Sequence, residues 1–217
     1  MNEVNEKFIA TLIKMENNKK VLLINTHLKY PNWSEGTLND AFHQIAKDFF
    51  TNKGYHVLET KVEEGYKAEE EVEKHLQAEI IILQTPINWF GAPWIYKKYV
   101  DEVFNSGLQS KKFLTDDGRT KSDPSRQYGT GGHLQGKKFM VCATWNAPEA
   151  AFADASQILF RGLSTADFFV QITSNYRFCG VEVVTDYNSF DIFKNGDPDK
   201  DLKNYPIHLS NVFLNHP

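Results

Sequence analysis

Two four-residue runs, Val21-Leu22-Leu23-Ile24 and Ile80-Ile81-Ile82-Leu83, contain only aliphatic side chains. A strand with one face in water alternates polar and apolar residues. An unbroken run instead marks a strand buried on both faces, as in a parallel sheet covered by helices. Four residues are also far short of the ~20 that cross a bilayer, so membrane insertion is not expected.

The stretches between such runs are helical. Leu38, Ala41, Phe42, Ile45, Ala46, Phe49 and Phe50 follow the 3.6-residue period of an amphipathic helix. Thr37 with Asp40 resembles a capping box at its start, and Gly54 closes it. His56 to Thr60 reads as a second strand, residues 67–76 as a second helix and Ile80 to Leu83 as a third strand. Pro93 opens a third helix through Phe104. Lys138 to Thr144 is a fourth strand, Phe168 to Ile172 a fifth, and a weakly marked helix lies near 200–214. Strand and helix in turn predict an α/β fold, a doubly wound parallel five-stranded sheet with helices on both faces. Ligands of such sheets bind at the carboxyl ends of the strands.

The 217 residues suit one sizeable domain, and 41% hydrophobic residues can build its core. Residues 1–18 form an N-terminal extension. Val4, Phe8, Ile9, Leu12 and Met15 recur at roughly helical spacing, which fits an amphipathic helix resting on the body or on a second subunit, or a frayed end. The body runs over 19–217. A net charge of -4 argues against nucleic acid as a partner. Cys142 and Cys179 are too few and too distant for a disulfide framework or a zinc site. No secretory signal is visible, and a reducing cytoplasm is expected. None of the seven histidines forms a metal-binding motif, no Gly-x-Ser-x-Gly elbow occurs, and no metal site is expected.

Three loops carry chemistry. His27 to Thr37 joins a buried strand to a helix N-terminus, where free N–H groups favour a phosphate; Ser34 and Thr37 add hydroxyls, and Gly36 allows close backbone approach. The loop is neither a Walker A nor a Gly-x-Gly-x-x-Gly turn. Gln84 to Trp94 holds two prolines, Gly91 and three aromatics, a stiff platform for a flat ligand such as an isoalloxazine ring. Trp94, inside the helix, reads as core packing; Trp89 reads as either core or platform. Tyr128-Gly129-Thr130-Gly131-Gly132 combines with Thr144-Trp145-Asn146-Ala147-Pro148, glycines permitting close approach and Asn146 offering hydrogen bonds. Residues 105–136 form an unusually long connection, expected to act as walls and lid.

Gly91-Ala92-Pro93-Trp94 with Lys97-Lys98-Tyr99-Val100-Asp101-Glu102-Val103-Phe104 is followed by Asp117-Gly118-Arg119, Tyr128-Gly129-Thr130-Gly131-Gly132, Gln135-Gly136-Lys137-Lys138 and Thr144-Trp145-Asn146-Ala147-Pro148. This succession, with Ser34, Gly36, Leu38, Asn39 and Asp40, resembles the bacterial NAD(P)H:quinone reductases of the modulator of drug activity B (MdaB) type, over about residues 20–160. The resemblance implies a flavodoxin-like fold, FAD as prosthetic group (FMN being possible), NAD(P)H as electron donor, a quinone-type acceptor and a homodimer with the flavin near the subunit boundary.

By position, Ser34, Glu35, Gly36, Thr37, Leu38, Asn39, Asp40 and Ala41 would hold the FAD phosphates and ribose. Pro86, Ile87, Asn88 and Trp89, with Thr144, Trp145, Asn146 and Ala147, would cradle the isoalloxazine. Tyr128 would touch flavin or substrate and, as the expected catalytic residue, donate a hydrogen bond to the quinone oxygen. Phe90, Gly131 and Gly132 would line the substrate pocket. Lys111, Lys112, Arg119, Lys121 and Arg126 are solvated charges or contacts for the donor's phosphates. The chain departs from the family at Ile87 and Asn88, where glycine and tryptophan are usual, and at His27-Leu28-Lys29-Tyr30. Rival readings are a flavin-binding electron carrier or regulatory module, which the long 105–136 segment disfavours, and an azo- or nitroreductase.

Overall fold

The computed structural model describes residues 19–214. The expected N-terminal helix falls in 1–18, outside the described residues. Strands β1 (Lys20–Asn25), β2 (His56–Lys61), β3 (Ile80–Pro86) and β4 (Lys138–Thr144) alternate with helices α1 (Thr37–Asn52), α2 (Ala68–Gln77) and α3 (Trp94–Gln109). Then come α4 (Thr165–Phe168), α5 (Val170–Phe178), β5 (Glu182–Val183), β6 (Tyr187–Ser189) and α6 (Pro198–Phe213). All pairings are parallel, in the order β2-β1-β3-β4-β5. β6 also pairs with β4, Cys142 facing Tyr187, beyond the Lys138–Glu182 pairing of β5. Thus β5 and β6 are two lengths of one interrupted fifth strand, broken at Val184 to Asp186.

The apolar runs behave as their composition requires: every residue of β3 is buried, and β1 and β4 are buried apart from their first residues. Alternate side chains feed two cores. Val21, Leu23, Ile80, Ile82, Met140 and Cys142 pack against Phe42, Ala46 and Phe50 of α1 and Tyr205 and Leu209 of α6. Leu22, Ile24, Ile81, Leu83, Phe139 and Val141 face α2, α3 and α5 through Val72, Tyr99, Val103, Ile172 and Tyr176. Helices on both faces, as expected, leave the carboxyl ends of the strands as the open rim.

Two local expectations fail. Phe168 to Ile172 is helix, not strand: Ser164 and Asp167 form a reciprocal capping box, and Phe169, Ile172 and Tyr176 are buried at helical spacing. Strand-prone Phe-Phe-Val lost to a cap four residues upstream. The Thr37/Asp40 box is also absent. Gly36, in the left-handed conformation at φ 85°, occupies the N-cap, and no side chain caps α1.

Candidate active site at the strand-end rim

The first turn of α1 is tied to three strand tips. Asn25 Nδ2 donates to Asp40 Oδ1 at 3.2 Å from the end of β1. Gln84 Nε2 of β3 donates to Asn39 Oδ1 at 2.8 Å, and Asn39 Nδ2 reaches Thr144 Oγ1 of β4 at 3.4 Å. The Ile87 N–H donates to the Thr144 carbonyl at 2.9 Å, joining the second and third loops. The polar residues of this ladder, Asn39, Gln84 and Thr144, are buried. Gln84 Oε1 is buried without a partner. Uncapped N–H groups at a helix start, beside an orphaned acceptor, form a site prepared for a polar ligand.

The first loop is braced from within. Tyr30 and Ser34 exchange two main-chain hydrogen bonds, Asn32 turns the chain at φ 64°, and Glu35 accepts from Lys29 Nζ at 2.6 Å and from the Asn32 N–H at 3.0 Å. His27 is buried with Nε2 3.1 Å from Ser34 Oγ. A Cβ on Gly36 would stand 2.5 Å from His27 Nδ1, so only glycine fits beneath that ring. Burial lowers the His27 pKa; Glu63, Asp40 and Glu35 oppose that shift. Leu38 and Ala41 are partly buried on the core side of α1, while Thr37 and Asp40 are exposed.

The second loop turns tightly at Asn88-Trp89-Phe90-Gly91, with Asn88 and Gly91 exchanging main-chain bonds. Trp89 (φ 50°) and Phe90 (φ 69°) both adopt the left-handed region that bulky residues avoid. Trp89 is 91% exposed and Trp94 63% exposed, so neither packs the core, which corrects the expectation for Trp94. Phe90 meets Phe160 edge-on at 5.8 Å, bringing residues 152–163 to the platform.

In the third loop only the main chain is available at Trp145. Its indole is 2% exposed, packed on Phe152, Phe168 and Phe169, with Nε1 donating to Asn188 Oδ1 at 2.7 Å. Asn146 is exposed and Ala147 half-buried beside it.

Within one chain Tyr128, Gly131 and Gly132 do not reach this rim. Helix α5 begins near it, where a Cβ on Gly91 would meet Gln171, and descends to the amino ends of the strands. Tyr128 packs against Phe178, the last residue of α5, with ring centroids 5.1 Å apart and planes tilted by 44°. Nine helical residues, roughly 13 Å at ~1.5 Å each, lie between the two levels. Backbone packing requires glycine at both positions: Cβ atoms on Gly131 and Gly132 would lie 2.1 Å from Asp116 O and Cys179 C. The expected lid lies at the same lower level. Arg119 is held by Asp117 at 2.6 Å, Lys112 pairs with Glu73, and the two aspartates cap their own turns at Gly118 and Arg119. Sequence position had suggested proximity because Thr144 follows the glycine turn closely; the length of β4 separates them.

Two clefts of about 500 and 280 Å³ flank β5, lined in part by Val183, Val184 and Thr185, and neither includes a rim-loop residue. Both thiols are buried and raised in pKa, Cys179 to about 12, so neither is an activated nucleophile. Among the described residues no cluster of three metal-ligating side chains occurs. Asn25, His27, Gln84 and Asn188 are the rim contacts missed in the sequence; an amide or imidazole just past an apolar strand was the available signal.

The flavodoxin-like fold family model matches residues 19–208. The NADPH:quinone oxidoreductase MdaB of Haemophilus influenzae is 37% identical over 180 residues, covering 83% of this chain and 92% of that protein. The chain belongs to the MdaB-type family of flavodoxin-like quinone reductases. A Klebsiella pneumoniae protein assigned as a quinone reductase superposes with a TM-score of 0.71 at 19% identity, covering 92% of this chain and 86% of that one. General stress protein 14 of Treponema denticola, solved in complex with FMN, superposes at 0.60 with 17% identity, covering 89% and 98%. At those identities the superpositions show the shared fold.

Proposed function

We propose that this chain is a flavin-dependent NAD(P)H:quinone oxidoreductase that holds FAD, works as a homodimer and resides in the cytoplasm. The observation that supports it most is the Asn39–Gln84–Thr144 ladder, which sets the uncapped start of α1 beside the platform loops. The residues present fit a flavin nucleotide: the N–H groups at the start of α1 have no side-chain cap, Gln84 Oε1 awaits a donor, and Trp89 and Phe90 are exposed. In this reading Ser34 to Ala41 hold the diphosphate and ribose. The main chain of Pro86 to Trp89 and of Thr144 to Ala147 borders the ring, Trp145 contributing no side chain. When bound, FAD supplies a two-electron hydride relay from nicotinamide to quinone in a ping-pong exchange. Phe90 and Trp89 wall that space and exclude water.

Trp89, Trp94, Ile158, Leu159, Leu163 and Val170 are exposed around the Phe90–Phe160 contact, an apolar surface suited to a second copy. Because Tyr128 lies away from its own rim and is 67% exposed, the second copy would supply it, with Gly131 and Gly132, to the site. There its hydroxyl would donate to the quinone oxygen as negative charge develops. FMN in place of FAD is the second reading, supported by the FMN in the Treponema denticola protein.

The test is the absorption spectrum of the purified protein, chromatography of the released pigment, and steady-state turnover of NADPH and NADH with a soluble quinone. A yellow protein releasing FAD and giving parallel double-reciprocal lines is expected. Released FMN moves the assignment to the second reading. A colourless protein that neither flavin reconstitutes would sink both.

A further inference from the structure

Resting on the flavin reading, we propose that His27 belongs to the cofactor's phosphate site and takes up a proton when the diphosphate binds, so that cofactor retention weakens as pH rises. His27 was not among the residues expected to bind. Its ring is clamped between Ser34, with Nε2 3.1 Å from Oγ, and Gly36, where a Cβ would come within 2.5 Å of Nδ1. These residues lead directly into the first turn of α1. The His27 main-chain N–H donates to Asn25 Oδ1 at 2.9 Å, which fixes the backbone from which the imidazole projects.

The charges facing His27 come from three elements: Glu63 from the turn after β2, Asp40 from α1, and Glu35 and Lys29 from its own loop. Glu35 is already matched by Lys29 at 2.6 Å and Asp40 by Lys61 at 3.1 Å. Glu63 accepts the Lys29 N–H at 3.0 Å. Burial outweighs the pull of these three carboxylates, so the ring favours its neutral form before a ligand binds. A diphosphate adds two negative charges next to the residues that clamp the ring, which favours the imidazolium. By linkage, a ligand that raises a group's pKa binds with proton uptake and binds more tightly at lower pH.

The experiment titrates the flavin-free protein with FAD from about pH 5.5 to 8.5, a range centred on histidine and away from the ionisations of the FAD diphosphate. Flavin fluorescence gives affinity; calorimetry in two buffers of different ionisation enthalpy gives proton number. Wild type should show net uptake and an affinity falling by up to tenfold per pH unit between the His27 pKa of the free protein and that of the complex. His27→Gln, whose amide can still bond Ser34, should bind FAD with a flattened pH profile. Equal slopes in both proteins, or no proton uptake by wild type, would overturn the proposal; the buffer comparison on wild type stands even if the variant does not fold. Binding of FAD without pH dependence sinks this inference alone, whereas no binding of FAD at any pH sinks it together with the FAD assignment.

Discussion

Gln84 Nε2 donates to Asn39 Oδ1 at 2.8 Å, while the other end of the Gln84 amide, Oε1, is buried and unpaired. One residue thus locks a helix to a strand and keeps an acceptor in reserve. Gln84→Ala would leave Asn39 Oδ1 without its donor, at a cost of about 1–3 kcal/mol. Urea unfolding should show that loss, and flavin affinity should fall with it; an unchanged midpoint would show that the ladder contributes nothing.

Gly36→Ala should be among the most damaging small substitutions. The new methyl collides with the His27 ring and the backbone is at φ 85°. Flavin content of the purified protein should drop sharply. Combining it with His27→Ala should restore part of the binding by removing the collision, which a purely conformational cost would not allow.

Tyr128→Phe removes one hydroxyl from an exposed ring packed against Phe178. If a second copy brings that hydroxyl to the quinone, kcat falls by about tenfold to a hundredfold, on the scale of a lost transition-state hydrogen bond. Flavin content and dimer mass stay as in wild type. Unaltered turnover would remove Tyr128 from the mechanism.

Trp89 and Phe90 sit at φ 50° and 69° in a mirror-image turn whose preferred sequence is Asn-Gly. Replacing the pair by Asn-Gly should stabilise the isolated subunit by about 1–3 kcal/mol through relief of backbone strain. The same change should weaken self-association and quinone turnover. Calorimetry beside sedimentation would separate the two effects.

His75 is fully buried among Tyr99, Phe104, Phe113 and Tyr176, and burial lowers its pKa to about 4. A depressed imidazole pKa means that the unfolded chain binds the proton first. Stability is therefore lost as pH falls below the unfolded value near 6.5, until the folded pKa is reached. Between pH 7 and 5 this group alone should remove about 2 kcal/mol. His75→Phe should show an acid loss smaller by that amount in urea titrations at the two pH values; identical losses would refute the assignment.

Most of the architecture was legible because burial on both faces leaves a coarse mark: β1 and β3 are built on the aliphatic runs Val21 to Ile24 and Ile80 to Leu83, and α1 carries its apolar stripe. The fifth strand was not, because Phe168 to Ile172 carries strand formers on a helix whose cap lies upstream, and the true strand is split into lengths of two and three residues. At the rim, the loops leading from β1 and β3 into helices were readable as strand-to-helix turns. The Asn39–Gln84–Thr144 ladder was not, since a glutamine at the end of an apolar strand looks like its terminus rather than a linchpin. Which end of the sheet Tyr128 occupies was not legible, because motif order carries no such information.

The interruption at Val184 to Asp186 has a bearing on how this protein behaves in crowded solution. A continuous border strand offers neighbours a row of free amide and carbonyl groups on which to grow. Here the outermost strand stops after Val183 and resumes at Tyr187. A stray chain can stitch only a couple of bonds before the template veers away, so the molecule resists fibre-like stacking along that flank.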